Sequence, residues 1–284
     1  MTQLAGSIDQ KTLKVTYCLC VILIFSNIVF ADSITKGNEA YHKGDYSTAL
    51  KIYLLEAEKG SSEAENNLGL IYSRGLGVKK DFQKAAKYFQ LAASKGCPRA
   101  QTSLGAMYSK GIGVNQNLEK TVELYRLAAA QGYARAQYNI GVLFREVKDN
   151  QEAIRWYKMA ASQGLSDAQN NLGFMYMNGY GIQQDIEKAL SLFKKAASQG
   201  NAKSQFTLGL MHKDGKGVPQ DFVKAYMWFR LAETSGSMLA EPLESGSMTT
   251  AQLSLIQKNI QAISEIMTTE QIIKAESLAK TYKY

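Results

Sequence analysis

An internal repeat runs through most of this 284-residue chain. When the sequence is aligned against itself, six glycines recur at spacings of 32, 36, 36, 32 and 36 residues: Gly37, Gly69, Gly105, Gly141, Gly173 and Gly209. A series of aspartates or asparagines and a series of alanines or threonines keep the same phase. A period of about 30 to 40 residues is typical of stacked units that bury their apolar faces against one another. The repeat therefore restricts the chain to an array of small units.

Each unit reads as two amphipathic helices. In the best-formed unit, apolar residues recur three or four positions apart from Ala64 to Tyr72 and again from Phe82 to Ala93. Gly75 is suited to end the first helix, and the carboxylate of Asp81 can accept backbone N–H groups that open the second. Six units are predicted, at about residues 34–60, 61–96, 97–132, 133–164, 165–200 and 201–236. The pattern predicts an all-α solenoid of about six two-helix repeats.

The amino-terminal residues resemble a secretion signal. Lys11 and Lys14 precede the apolar run Val15–Phe30, and we place cleavage after Ala31, so that residues 1–31 form a signal peptide. The run is shorter than the roughly 20 residues that a membrane-spanning helix needs. We therefore expect a periplasmic or secreted protein with no stable membrane span after cleavage, with an uncleaved amino-terminal anchor as the alternative.

The carboxy-terminal residues 237–284 are predicted to form a linker and capping helices. The Ser/Gly-containing stretch Thr234–Ser247 is expected to be a loop, and two Met-Thr-Thr-x-Gln segments follow it. Each segment offers a capping box, in which Thr249 pairs with Gln252 and Thr268 pairs with Gln271. Two further helices would shield the last apolar face of the array from water.

The sequence offers little catalytic chemistry. His42 and His212 lie in different units, Cys97 is the one cysteine that remains after signal cleavage, and the Gly-x-Gly pairs follow helices rather than strands. The net charge of +8 is spread along the chain without a lysine or arginine block, which argues against a nucleic-acid partner. We therefore predict no catalytic residue, no cofactor and no metal site.

The repeat motif resembles a known family. The pattern Ala-x-x-x-Leu-Gly-x-x-Tyr-x-x-Gly-x-Gly-Val-x-x-Asp-x-x-Lys-Ala-x-x-Tyr-Phe-x-x-Ala-Ala-x-x-Gly is similar to the Sel-one-like repeat (SLR), a relative of the tetratricopeptide repeat found in secreted bacterial proteins. The resemblance covers residues 34–284. It implies a right-handed α/α superhelix whose first helices line a concave face and hold a protein or peptide partner.

The resemblance also leaves two other functions open. One is a cell-envelope or host-interaction factor. The other is a β-lactam-binding or β-lactam-hydrolysing enzyme, because some cysteine-rich secreted relatives have been described in that way. Those relatives carry a regular cysteine pair in each repeat, and this chain does not. We therefore expect a scaffold or adaptor rather than an enzyme.

The predicted partner site combines aromatic and cationic side chains on the concave face. In the arrangement that the resemblance implies, Tyr138, Phe174 and Phe206 point away from the core and form one apolar stripe across three consecutive first helices. Cations border this stripe, which suits a partner with acidic groups. The candidate contacts are Arg135, Tyr138, Arg145, Asn170, Phe174, Lys203 and Phe206. The sequence leaves the oligomeric state open.

Overall fold

The structure, a computed structural model, describes residues 33–238 and 249–282. Within those ranges it contains helices and turns and no strand. The helices are α1 (residues 33–42), α2 (Tyr46–Glu58), α3 (Ser62–Arg74), α4 (Phe82–Ser94), α5 (Pro98–Lys110), α6 (Leu118–Ala130), α7 (Ala134–Glu146), α8 (Asn150–Ser162), α9 (Ser166–Asn178), α10 (Ile186–Ala197), α11 (Ala202–Asp214), α12 (Phe222–Met238), α13 (Thr250–Ser264) and α14 (Thr269–Thr281). The predicted signal peptide and residues 239–248 of the predicted linker lie outside the described residues.

Adjacent helices pack in series. We call the odd-numbered helices up to α11 the first helices and the even-numbered helices up to α12 the second helices. In the first part of the chain α4 packs against α3 of its own pair and against α5 of the next pair, and further along α8 packs in the same way against α7 and α9. The chain divides after Asn117 into two compact units, the first holding α1–α5 and the second holding α6–α14. This packing confirms the all-α repeat solenoid fold.

The helix ends follow the expected capping chemistry. The carboxylate of Asp81 accepts the backbone N–H of Lys84 at 2.8 Å, and Gly75 ends α3 with a left-handed φ of 73°. The same aspartate cap recurs in the turns before four other second helices, at Asp45, Asp149, Asp185 and Asp221. Both predicted capping boxes, Thr249 with Gln252 and Thr268 with Gln271, are present. The predicted caps are therefore confirmed. They could be predicted because capping depends on residues that are close together in the sequence.

A ring of the second helix lies over the repeat glycine of the first helix. A Cβ atom placed on Gly173 would lie 2.7 Å from Cε1 of Phe193, and Gly141 stands in the same relation to the ring of Tyr157. Phe193 and Tyr157 are fully buried. The repeat glycine is therefore required for space, since any side chain at that position would overlap a ring that the core holds in place.

Glutamine side chains connect neighbouring helices in the second unit. Gln199, which follows α10, donates an Nε2–H to Oε1 of Gln169 on α9 at 2.9 Å. Gln169 in turn donates to the backbone oxygen of Ala161 on α8 at 3.4 Å. The pair Gln163 and Gln137 repeats the first of these contacts at 2.8 Å. Each buried amide thus finds hydrogen-bond partners in the helices that pack against its own.

The helix α12 is longer than expected. The sequence predicted a loop at Thr234–Ser247, but α12 continues through Gly236 to Met238, so the prediction is wrong for residues 234–238. Both α13 and α14 pack against α12. Ser235 and Gly236 are buried, which is consistent with a helix held by tertiary packing rather than by the propensity of its residues. Glycine ends a helix only where the surrounding structure favours the turn.

His212 occupies a position that tyrosine holds in other first helices. Tyr72, Tyr108 and Tyr176 take this place in α3, α5 and α9, and in α3 the ammonium of Lys84 lies 4.2 Å from the Tyr72 ring centroid. Lys224 is the matching lysine beside His212. Burial, followed by the charge of Lys224, lowers the pKa of His212, while Asp221 opposes that shift and Lys194 adds to it. A protonated His212 would be buried beside a second cation.

We expect this histidine to make stability depend on pH. The unfolded chain binds a proton at the ordinary histidine pKa, near 6.5, but the folded chain binds it at a lower pH. Acidification below about pH 6.5 therefore favours the unfolded chain, and the effect grows until the folded-state pKa is reached. His212→Tyr, which introduces the residue found at this position in α3, α5 and α9, should weaken this loss. Melting temperatures of both chains from pH 7.5 to 5.5 provide the measurement, and parallel curves would contradict the assignment.

Candidate partner-binding surface

The predicted site residues all lie on first helices of the second unit. Tyr138, Asn170 and Phe206 share one repeat position, in α7, α9 and α11 respectively, while Phe174 lies one turn further along α9. The prediction of a single stripe of three rings is therefore wrong, because the shared position holds Asn170 on α9, between Tyr138 on α7 and Phe206 on α11. The cause is the short turn of the α7/α8 repeat, which makes the spacing from Tyr138 to its equivalent 32 residues rather than 36.

Tyr138 belongs to the core. Its side chain is only 4% exposed, and its ring centroid lies 5.8 Å from that of Tyr157 on α8. Burial raises the pKa of the Tyr138 hydroxyl, and the charge of Asp167 adds to this effect. The expectation that Tyr138 points away from the core is wrong, because Tyr157 provides an aromatic surface against which it packs.

Asn170 is also buried, and its hydrogen bonds are internal. Its Oδ1 accepts the hydroxyl of Ser204 on α11 at 2.9 Å, and its Nδ2 donates to Oδ1 of Asn171 at 3.2 Å. Asn170 therefore connects two first helices instead of offering a free amide to a partner.

Of the three predicted aromatic contacts, Phe174 has the most exposed ring. It is 37% exposed, and one side of it meets Phe193 edge to face with centroids 5.4 Å apart. Phe206 is half-buried and lies on Phe229, with ring centroids 5.5 Å apart. The partly buried Val142 and Leu210 take the position of Phe174 in α7 and α11. An apolar row thus crosses three first helices, with Phe174 at its centre.

The predicted cations differ in their availability. Arg135 forms an ion pair with Asp167, whose other carboxylate oxygen accepts a hydrogen bond from Asn201 at 3.0 Å. Arg145, at the other end of α7, is exposed, and no acidic side chain of the described residues forms an ion pair with it. Arg145 is therefore better placed than Arg135 to meet an acidic group of a partner.

Lys203 is intermediate between Arg135 and Arg145 in how available its charge is to a partner. Burial lowers the pKa of its ammonium group, the nearby Asp167 raises it, and Arg145 lowers it. An ammonium group that has lost part of its hydration interacts more strongly with an incoming carboxylate than a fully hydrated one does. Asp167 already offsets part of the positive charge at this end of the surface.

We call the exposed and half-buried side chains of α7, α9 and α11 the first-helix face. It presents an apolar row bounded by Arg135 and Lys203 on one side and Arg145 on the other. Such an arrangement can hold an apolar side chain whose neighbours are acidic. Within the described residues, no group of histidine, cysteine and acidic side chains is arranged to hold a metal ion.

Sequence reasoning missed the polar contacts beneath this face. Asp167 and Asn201 hold Arg135 in place, and Ser204 satisfies Asn170. A signal for Ser204 was present, since the equivalent residues of the four preceding repeats are all alanine: Ala64, Ala100, Ala136 and Ala168. A hydroxyl group at a buried alanine position requires a hydrogen-bond partner, and Asn170 is that partner.

Comparison with known proteins identifies the family. The model of the Sel1 repeat matches five consecutive segments, at residues 62–97, 98–133, 134–165, 166–201 and 202–237. These segments cover more than half of the chain, and the chain belongs to the Sel1 repeat family. Proteins of this family are generally protein–protein interaction scaffolds, and the fold is typically non-enzymatic. A comparison with curated proteins gave no match.

Solved structures that resemble this chain include the following two. One is c5321, a protective antigen present in uropathogenic Escherichia coli strains and displaying an SLR fold, with 29% identity and a TM-score of 0.72. The match covers 89% of this chain and 53% of the antigen, so this chain spans about half of the antigen's length. The other is a Sel1 repeat protein from Oxalobacter formigenes, with 30% identity, a TM-score of 0.65, and coverage of 82% of this chain and 98% of that one.

No helix in residues 33–238 or 249–282 combines the length and the apolar character needed to cross a membrane.

Proposed function

We propose that this protein is an exported scaffold that binds a protein partner on its first-helix face. The exposed ring of Phe174 carries the proposal, because it lies between cations on a surface made by three helices. The partner segment would place an apolar side chain against Phe174 and acidic side chains near Arg145 and Lys203. Export rests on the predicted signal peptide, and the concave shape of this face rests on the family resemblance.

Phe174 has the properties of an interface anchor. Its inner edge is fixed on Phe193, so that its exposed face can be covered with little loss of side-chain freedom. Aromatic and arginine side chains contribute most of the binding energy in typical interfaces. Phe174 and Arg145 provide this combination within one unit.

A role at the cell envelope or in contact with a host is the second candidate. It is favoured by the similarity to c5321, a protective antigen, at 29% identity. Because this chain spans about half of that antigen, only the repeat fold is shared on this basis. The two candidates are compatible, since an envelope protein can bind its partner on the first-helix face.

The test is capture of proteins from an envelope extract by the full chain and by Phe174→Ala and Arg145→Ala. Truncating a ring at a true hot spot costs about 2 kcal/mol, so we expect Phe174→Ala to weaken binding of the captured protein by more than about tenfold. Arg145→Ala should weaken the binding in the same direction. Dissociation constants for the identified partner provide the measurement. Export is tested separately, since the protein recovered from the exported fraction should begin at or near Asp32.

Tyr180 provides a matched control. Its ring is exposed in the turn after α9 and is not part of the apolar row on the helices, so Tyr180→Ala should leave the dissociation constant unchanged. A folded Phe174→Ala chain that binds the partner as tightly as the unmodified chain would overturn the proposal. Equal losses from Phe174→Ala and Tyr180→Ala would do the same.

A further inference from the structure

Asp167 places a negative charge between two cations of the first-helix face. Arg135, Asp167 and Lys203 occupy the same repeat position in α7, α9 and α11, in the first turn of each helix. A carboxylate at this position competes with the acidic groups of a ligand for the two cations. The contacts of Asp167 therefore decide which positive charge is left for a ligand.

The charge of Arg135 is neutralised within the protein. Its Nη1 lies 2.5 Å from Oδ2 of Asp167, and its guanidinium carbon lies 5.8 Å from the ring centroid of Tyr138. The Asp167 side chain is only 12% exposed, so salt screens this ion pair less than it screens a pair on an open surface. An anionic ligand would have to displace Asp167 before it could pair with Arg135.

The other oxygen of Asp167 is also engaged. Its Oδ1 accepts a hydrogen bond from Nδ2 of Asn201 at 3.0 Å, and Oδ1 of Asn201 caps α11 by accepting the backbone N–H of Ser204 at 3.0 Å. Asp167 also lies in the first turn of α9, where the helix dipole favours a negative charge. These contacts fix both oxygens of the carboxylate and keep it beside Arg135.

Lys203 remains as the cation that a ligand can use. Its ammonium group is half-buried and forms no hydrogen bond or ion pair with another residue that the structure describes. Burial lowers the pKa of this group, and Asp167 opposes that shift without forming an ion pair with it. A half-buried charge without a partner gains from a counter-charge that a ligand supplies.

We propose that Asp167 determines the specificity of the first-helix face. It withholds Arg135 from anionic ligands and leaves Lys203 to pair with one acidic group. Charge attraction alone is then too weak to hold a ligand, and the apolar contact with Phe174 is also required. Selection against wrong ligands by a built-in repulsive group is a common source of specificity. This proposal rests on the proposed function, because it assigns a role within the same surface.

A structural role alone is the alternative, since Asp167 connects α7, α9 and the turn before α11. Asp167→Asn separates the two roles, because asparagine keeps a side-chain oxygen for Asn201 but loses the charge that neutralises Arg135. A structural role alone predicts a lower melting temperature and no gain in anion binding. The specificity role predicts that the folded variant binds anions more tightly.

Polyglutamate is the probe, because it offers many carboxylates and no aromatic or branched apolar side chain. At an ionic strength of about 20 mM, the full chain with Asp167→Asn should bind labelled polyglutamate at least about threefold more tightly than the unmodified chain. Salt at about 0.3 M should remove the difference. Fluorescence anisotropy gives the dissociation constants, and thermal melting followed by circular dichroism checks the fold.

Two further variants identify the cause of the gain. Glu187→Gln is the matched control, because it removes one negative charge from an exposed position of α10 and should leave polyglutamate binding nearly unchanged. Arg135→Gln with Asp167→Asn has the net charge of the unmodified chain. This double variant should bind polyglutamate like the unmodified chain, because the gain depends on the released Arg135.

Three results would overturn the proposal. One is a folded Asp167→Asn chain that binds polyglutamate no more tightly than the unmodified chain. Another is an equal gain from Glu187→Gln, which would assign the effect to net charge. The third is a gain that persists in the double variant, since Arg135 would then not be its source. None of these measurements uses the protein partner, so they are distinguishable from a failure of Phe174→Ala to weaken partner capture.

Discussion

Replacing Tyr138 by alanine should lower the free energy of unfolding by about 3–5 kcal/mol, the usual cost of truncating a buried aromatic side chain. The ring is 4% exposed and packs on the equally buried Tyr157, so its removal leaves a cavity in the core of the second unit. Phe174→Ala, which truncates a ring with an exposed face, should cost about 1 kcal/mol. Urea denaturation of the two variants provides the comparison.

This contrast separates core from binding surface. If Tyr138→Ala weakens partner capture, the loss should follow the fraction of unfolded chain and disappear under conditions in which the variant is fully folded. A Tyr138→Ala chain that is as stable as the unmodified chain would contradict the burial of this ring. The same result would restore Tyr138 as a candidate contact.

Replacing Gly173 by leucine should destabilise the second unit by about 3 kcal/mol or more, at the upper end of overpacking costs. Even a Cβ atom at this position would lie 2.7 Å from the ring of Phe193, which is fully buried. Glu63→Ala, at an exposed position of α3, should change the free energy of unfolding by no more than about 0.5 kcal/mol. Denaturation curves of both variants provide the measurement.

A double variant tests the cause of this effect. Gly173→Ala should cost less in a chain that already carries Phe193→Leu, because the smaller side chain can move away from the new methyl group. The coupling energy from the four chains should therefore be favourable, and contacting residues typically couple by about 0.5–3 kcal/mol. Additive effects of the two changes would mean that the Phe193 ring is not the reason for glycine at this position.

The sequence predicted the fold well because the relevant signals are local and repeated. The in-phase glycines and aspartates predicted the helix pairs, and capping boxes at Thr249 and Thr268 predicted the starts of α13 and α14. The end of α12 could not be predicted in the same way. Gly236 resembles the glycines that end other second helices, but α13 and α14 pack on α12, and their contacts favour a longer helix.

The surface was harder to predict than the fold. Tyr138 and Phe174 both lie on the first-helix side of their repeats, but the short repeat of 32 residues places them in different rows. Tyr138 is buried because Tyr157 lies beneath it, and no local pattern reveals that contact. The ion pair of Arg135 with Asp167 likewise depends on a contact between α7 and α9. Periodicity locates a helix face, whereas burial depends on the neighbouring helices.

Site-specific photo-crosslinking gives the most direct test of partner binding by the first-helix face. A benzophenone amino acid is placed at Phe174 in one full chain and at Met159 in another, and each chain is irradiated with its partner present. Adducts should form from position 174 and should be absent from position 159, whose exposed side chain lies on the second helix α8. Protein adducts from position 159, with none from position 174 while the partner still binds, would contradict partner binding by the first-helix face.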